Sequence, residues 1–324
     1  MRRRNFLKSF LGAFAIRSVA QGAPKKESPP RAKVVDVSCP SWERDGRPDP
    51  EKIGEMIDRG LCRLLDRKDP ASCWRELFSP RERVAIKFNR VSRNFSGANQ
   101  ALVDAISERL LGVGLKRENL FVVEAVGAKF TGGGKPDLEL GRWIALRDRG
   151  ARFTRFLTEQ IDAILNVPDL KDHDRGGITG ALKNVSHARQ TFIDNPARLH
   201  LPGLEPYLSE ICRLPFVRKK RRLVITNGLK AIFELGPLPV SPLWQWRRDT
   251  LLLALDSVAA DRVQLQIVEE KRRQMAKQNP RWRRRLVSLW KCPWRPPVHI
   301  GACAEKGLGE GDLKKIEWVK LKLE

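Results

Sequence analysis

Short apolar runs recur along the chain: KVVDVS, RVAIKFN, NLFVVEAVG, DAILNVPDL, RLVITNGL and TLLLALD. Each is rich in β-branched residues or leucine and is bounded by polar or turn-forming residues, the pattern of a buried strand. Helical spacing separates several of them. DPEKIGEMIDRGLCRLLDR sets Ile53, Met56, Ile57, Leu61, Leu64 and Leu65 on one side, with Asp49 or Pro50 near its start. NQALVDAISERLLGVG closes on glycine, ITGALKNVSHAR follows DAILNVPDL, and SVAADRVQLQIVEEKRR follows TLLLALD. The closing KKIEWVKLKLE reads as a last strand. Strands alternating with helices predict an α/β fold, a mostly parallel or mixed sheet covered by helices, with a ligand site at the strand carboxyl ends. Residues 34–324 are expected to form one domain.

Polar side chains gather where the apolar runs end. RVAIKFN brings Lys87 and Asn89 to one terminus, NLFVVEAVG brings Glu124 to another, and LNVPDLKDH delivers Lys171 and His173 to a third. VITNG offers Asn227, and LLALD ends on Asp256. Each has a plainer reading beside the functional one. Asp256 precedes a helix and suits an N-cap; Asn227-Gly228 is a turn dipeptide; Lys87 can snorkel from an apolar strand. KDHDRGGITGALKNVSH reads as a polar loop running into a helix. On that helix Lys183 and His187 are four apart and share a face, with Asn184 and Thr179 on adjoining ones. A lysine in such a pocket has an easily lowered pKa and can act as a base or hold an anion. Lys171, His173 and Lys183 are the candidate catalytic residues; Lys87, Asn89, Asn184, Asn227 and Asp256 are the candidate ligand-binding ones. His173 suits proton transfer or metal ligation, and Asp256 suits orienting or metal binding. No particular metal or cofactor is specified by these residues.

Charge and targeting narrow the setting. The formal net charge is +24. Arg3-Arg4-Asn5-Phe6-Leu7-Lys8, an apolar Phe10–Ile16 and small residues up to Ala20 or Ala23 match a twin-arginine export signal over residues 1–23. APKKESPPRAK follows as a linker. The expected address is the periplasm, reached folded through the twin-arginine machinery, or the membrane surface if the signal stays attached. The signal holds five basic residues and no acidic one, so +19 of the +24 stays with the mature chain. Such a field favours small anionic molecules or anionic envelope surfaces, and export argues against a nucleic-acid partner. Cys39, Cys62, Cys73, Cys212, Cys292 and Cys303 contain no C-x-x-C pair, so neither an iron–sulfur ligand run nor a zinc ribbon is present. The periplasm permits disulfides, but buried thiols are equally compatible with these positions.

VAIKFN, ILNVPDLKDHDRGGITGALKNV, TNGLKAIFELGP, LLALDSVAADRV and HIGACAEKGLGEGD together resemble the DUF362 family, prokaryotic proteins of unassigned biochemical function. The resemblance runs from about Val34 to Leu323, and Pro168, Lys171, His173, Lys183 and Asn184 carry its most specific part. It implies a shared α/β fold and a polar site but no reaction. Some members of the family carry iron–sulfur modules, whose cysteine pattern this chain lacks. The reading is an exported enzyme or cofactor-dependent catalyst acting on a small anionic molecule; the alternative is a non-catalytic envelope protein binding an anionic ligand or surface. A basic insert, about residues 271–296, bears on that alternative. Trp282, Leu286 and Trp290 recur every four residues among arginines, as in a helix lying on an anionic membrane or packing its tryptophans on the domain. TGGGKPD lacks the P-loop ending, and neither H-E-x-x-H nor G-x-S-x-G is present.

Overall fold

A computed structural model describes residues 32–89, 99–124, 135–188, 191–195, 205–237, 241–291 and 296–324. The export pattern and most of the linker lie outside these residues. In chain order the elements are β1 (Ala32–Ser38), β2 (Glu43–Arg44), β3 (Arg47–Pro48), α1 (Pro50–Leu65), α2 (Pro70–Leu77), β4 (Val84–Phe88), α3 (Asn99–Gly112), β5 (Leu120–Val123), β6 (Leu140–Leu146) and β7 (Arg149–Thr154). They continue with β8 (Ala163–Val167), β9 (Asp169–His173), β10 (Gly177–Ile178), α4 (Gly180–Ser186), α5 (Glu205–Arg213), α6 (Pro215–Arg218), β11 (Arg221–Ile232), β12 (Gln245–Ala254), α7 (Ser257–Gln278), α8 (Val298–Glu305) and β13 (Ile316–Lys322). Helix starts follow their sequence signals. Asp49 accepts hydrogen bonds from Glu51 N and Lys52 N ahead of Pro50, and Asp69 caps α2 in the same way.

The main sheet has the order β13-β1-β12-β11-β8-β4-β5, with β9 continuing alongside β11 and pairing β10. β4 is parallel to β5 and β8, β8 to β11, and β1 to β13. β12 is antiparallel to both of its neighbours, β1 and β11. The sheet is therefore mixed and mostly parallel, and helices cover both faces. Alternation along the strands divides the core. Val35, Val37, Val84, Ile86, Leu165, Ile225 and Leu253 pack against α1 and α3 through Ile53, Ile57, Leu61, Leu102 and Ile106. Val34, Ala85, Ile164, Val224 and Leu252 face Leu182, Val185, Val258 and Ile300 on the other side. Each such fully buried aliphatic side chain contributes roughly 1.5–3 kcal/mol, which is what lets the same strands carry charge inward at their ends.

Three features depart from the sequence reading. KDH is not loop: Lys171–His173 complete β9, whose five residues are all buried, and a turn at Asp174–Gly176 returns the chain as β10. β6 and β7 form a hairpin whose turn places Arg147 at φ 57°. The basic insert does not form the expected helix. Asn279-Pro280 ends α7, because proline has no N–H to continue the ladder, and only single turns follow at Pro280–Trp282 and Leu289–Lys291. Trp282 lies against Trp244, with ring centroids 5.2 Å apart, and Leu286 and Leu289 are buried. Arg272 of α7 donates to Val287 O at 3.0 Å and pairs with Glu234, fastening this segment to the body. Leu286 and Leu289 thus point inward, whereas Val287 is exposed. The side chain of Trp290 and all of Cys292 lie outside the described residues.

Candidate functional site

Strand alternation places Lys87 of β4 and Asn166 of β8 on the face covered by α4, and register makes them neighbours. Asn184 of α4 descends between them. Its Nδ2 donates to Asn166 Oδ1 at 2.7 Å and to Lys87 O at 3.2 Å, while its Oδ1 accepts from Lys87 Nζ at 3.2 Å. Lys87 Nζ also donates to Phe88 O at 2.6 Å. A second group lies beside the first. β9 leaves β8 through Pro168, and Asp169, Lys171 and His173 alternate onto one side of it. Lys171 Nζ donates to Asp169 Oδ2 at 3.1 Å and to Asn89 Oδ1 at 3.2 Å. Asn227 Nδ2 donates to Asn99 Oδ1 at 2.8 Å, and Asn99 Nδ2 donates to Asn89 O at 3.1 Å. The sites of Lys87, Asn89, Lys171, Asn184 and Asn227 are thus one buried network at the carboxyl ends of β4, β8 and the first part of β11.

α4 is pinned from behind. Asp261, one turn into α7, accepts from Ala181 N and Leu182 N at 2.5 Å and 3.0 Å. Gly180 has φ +60°, and a Cβ there would lie 2.4 Å from an Asp261 oxygen, so only glycine admits this contact. Burial lifts Asp261 to a pKa of about 7 against the pull of those two N–H donors.

Electrostatics tie the lysines together. Burial, then the charge of Lys183, lowers Lys87 to a pKa of about 7; Glu124 and Asp169 pull the other way. Burial, then Lys171, lowers Lys183 to about 8. Lys171 is lowered by burial and opposed by its partner Asp169. Among the described residues only Lys171 of the three is in an ion pair, and no hydrogen-bond acceptor meets Lys183 Nζ. His173 is buried; its Nδ1 accepts from Arg175 N at 3.1 Å and lies 3.0 Å from Asp174 Oδ1.

Residues 143–266 match the family model of a domain of unknown function, DUF362. The chain carries a DUF362 domain. No curated protein and no solved structure matches the chain. The matched DUF362 segment contains Asp169, Lys171, His173, Lys183, Asn184, Asn227 and Asp261, whereas Lys87 and Asn89 precede it.

Of the candidate residues in the DUF362 domain, Asp256 lies at a different edge of the sheet from this network. Asp256 follows β12, the reversed strand, so its carboxyl end lies beside the amino ends of β8 and β11 rather than with Lys87 and Asn89. There it caps α7, accepting from Val258 N and Ala259 N at 2.8 Å and 3.0 Å, and takes a third bond from Glu310 N at 2.8 Å. Its plainer reading, the N-cap, is its structural job. Asn166, Asp169, Asn99 and Asp261 are participants that sequence reasoning did not single out; Asn166 is hidden inside an apolar run and Asp169 inside a turn-like PDL. His299 of α8 is another. It is fully buried with no partner on either ring nitrogen, and burial together with Lys183 lowers its pKa to about 4. Among the described residues no three His, Cys, Asp or Glu side chains form a metal-binding group, and no helix is long and apolar enough to cross a membrane.

Proposed function

We propose that this DUF362 protein is an exported enzyme or cofactor-dependent catalyst acting on a small anionic molecule, whose carboxylate or phosphate is held by Lys87, Lys171 and Lys183. The observation that carries the reading is the drawing together of Lys87 and Lys171 into one amide-lined frame, with Lys183 near enough to depress Lys87 and Asp169 ion-paired to Lys171. Burying cationic groups costs stability, and a bound anion would offset that cost. With Lys87 near 7 and Lys183 near 8, either amine can hold or release a proton close to neutral pH. Lys171, ion-paired with Asp169, is the anchor, and His173 is the candidate for proton transfer at the end of β9. The twin-arginine pattern supports a periplasmic address, with folding completed before export.

Calorimetric titration of the purified chain with inorganic phosphate and with a small dicarboxylate tests the reading. Binding is expected to be tighter at pH 6.5 than at pH 9, and to be lost in Lys87→Met and Lys183→Met. Equal heats in all three proteins, or none in the parent at either pH, would refute it. Elemental analysis and absorbance of the same protein decide whether a metal or chromophore accompanies the site.

The reading of an envelope binder has one observation in its favour: Arg281, Arg283 and Arg284 are exposed in the basic segment. With Trp282 and Leu286 turned inward, such a surface would hold anionic lipid by charge alone, so vesicle binding would vanish at high salt.

A further inference from the structure

Away from the polar network, two cysteines touch. Cys62, in the last turn of α1, and Cys73, in α2, hold their Sγ atoms 3.9 Å apart. The turn between the helices is fixed: Asp66 ends α1 at φ 54°, and Arg67 N donates to Cys62 O at 2.9 Å. Cys73 is buried. Cys62 is partly exposed and lines a surface cleft of about 530 Å³ together with Arg59, Arg63, Arg67 and Lys68. Asp58 and Asp66 are the carboxylates of that cleft, so its lining is cationic on balance.

We propose that Cys62 and Cys73 form a disulfide by exchange with a small anionic disulfide, such as oxidised glutathione, entering this cleft. The chemistry balances without a further reactant. The Cys62 thiolate attacks one sulfur of the donor and expels its other half as a thiolate, leaving a mixed disulfide on Cys62. The Cys73 thiolate then attacks the Cys62 sulfur and expels the second half. Two protein thiols are oxidised, one donor disulfide is reduced to two thiols, and the protons released by the cysteines go to those leaving groups. Contraction of the sulfur pair to about 2.0 Å requires side-chain rotation across a contact that already exists. Burial and the neighbouring Cys73 push the Cys62 thiol up to about 12, so exchange is slow at neutral pH. Its rate follows the thiolate fraction and rises about tenfold per pH unit.

The molecule holds its own comparison. Cys212 and Cys303 also contact each other, but both are fully buried beneath α5 and α8. A chain folded before it meets an oxidant keeps that inner pair reduced and oxidises the pair at the cleft. The exchange is a property of the folded chain and does not depend on the proposed export or on the anion site.

The test is incubation of the full chain with oxidised glutathione at pH 7 and pH 9, alkylation of remaining thiols, and mass spectrometry of a non-reducing digest. The expected product is a Cys62–Cys73 cross-linked peptide lacking two hydrogens, formed faster at pH 9, reversed by dithiothreitol, with Cys212 and Cys303 alkylated only after unfolding. Cys73→Ser should stop at a glutathione adduct on Cys62, and Cys62→Ser should take up no glutathione at Cys73. A lasting adduct on Cys62 in the parent protein, or Cys62 and Cys73 both still alkylated after incubation at pH 9, would overturn the proposal; the parent protein decides it even if a serine variant fails to fold.

Discussion

Replacing Lys87 by methionine should change the sign of its effect on stability between neutral and alkaline pH. Lys87 is fully buried, and its pKa falls from 10.5 to about 7 on folding. A base with a lowered native pKa is protonated in the unfolded chain and neutral in the folded one between those values. The unfolded state then binds more protons, and stability rises with pH across that window. At about 1.4 kcal/mol per pH unit, the lysine costs about 4–5 kcal/mol at pH 7 relative to pH 10.5. Methionine of similar shape removes that cost but leaves Phe88 O without its side-chain donor and Asn184 Oδ1 with Asn89 Nδ2 alone, at 3.4 Å, a loss of about 1–3 kcal/mol. Lys87→Met is therefore expected to be about 1–4 kcal/mol more stable than the parent at pH 7 and about 1–3 kcal/mol less stable near pH 10.5. Urea unfolding of both proteins at several pH values gives the difference from midpoints at constant m. A variant destabilised by the same amount at every pH would refute the reasoning, because it would mean that Lys87 titrates as an ordinary lysine.

Three further outcomes are expected. Asp169→Ala leaves the Lys171 ammonium buried without its carboxylate and should cost about 3–5 kcal/mol, read in the same unfolding assay. Gly180→Ala combines a positive φ with a clash on Asp261 and should cost about 2–4 kcal/mol, lowering Tm and weakening phosphate binding because α4 carries Lys183 and Asn184. Asp256→Ala removes the cap of α7 and the bond from Glu310 N, and should cost about 1–2 kcal/mol while leaving phosphate affinity unchanged. Loss of binding in that last variant would return Asp256 to the site.

Much of the scaffold was legible because β4, β5, β8, β11 and β12 are written in apolar runs with clear ends. β9 was not: Asp-Leu-Lys-Asp-His looks like a surface loop, and only the surrounding amides and Asp169 make its burial tolerable. The lysines and asparagines of the network converge because parallel strands share one carboxyl edge. Asp256 was misplaced for the complementary reason, since its strand runs the other way and a sequence does not print strand direction. The spacing of Trp282, Leu286 and Trp290 suggested a helix, yet only single turns form there, with Trp282 against Trp244 and Leu286 buried. His299 gave no local signal, as its surroundings come from elements distant in sequence.

The pairing of β13 with β1 sets the timing of assembly. β1 is the first described strand, and its outer neighbour consists of residues 316–322; the contact of Ser41 with Glu324 spans 283 positions. During synthesis the Val34–Val37 strand has to wait for both neighbours, residues 245–254 and then 316–322, to leave the ribosome. Nascent chains are then exposed to edge-to-edge association for most of their elongation, and chaperone occupancy rather than sequential folding should govern the yield of the native sheet.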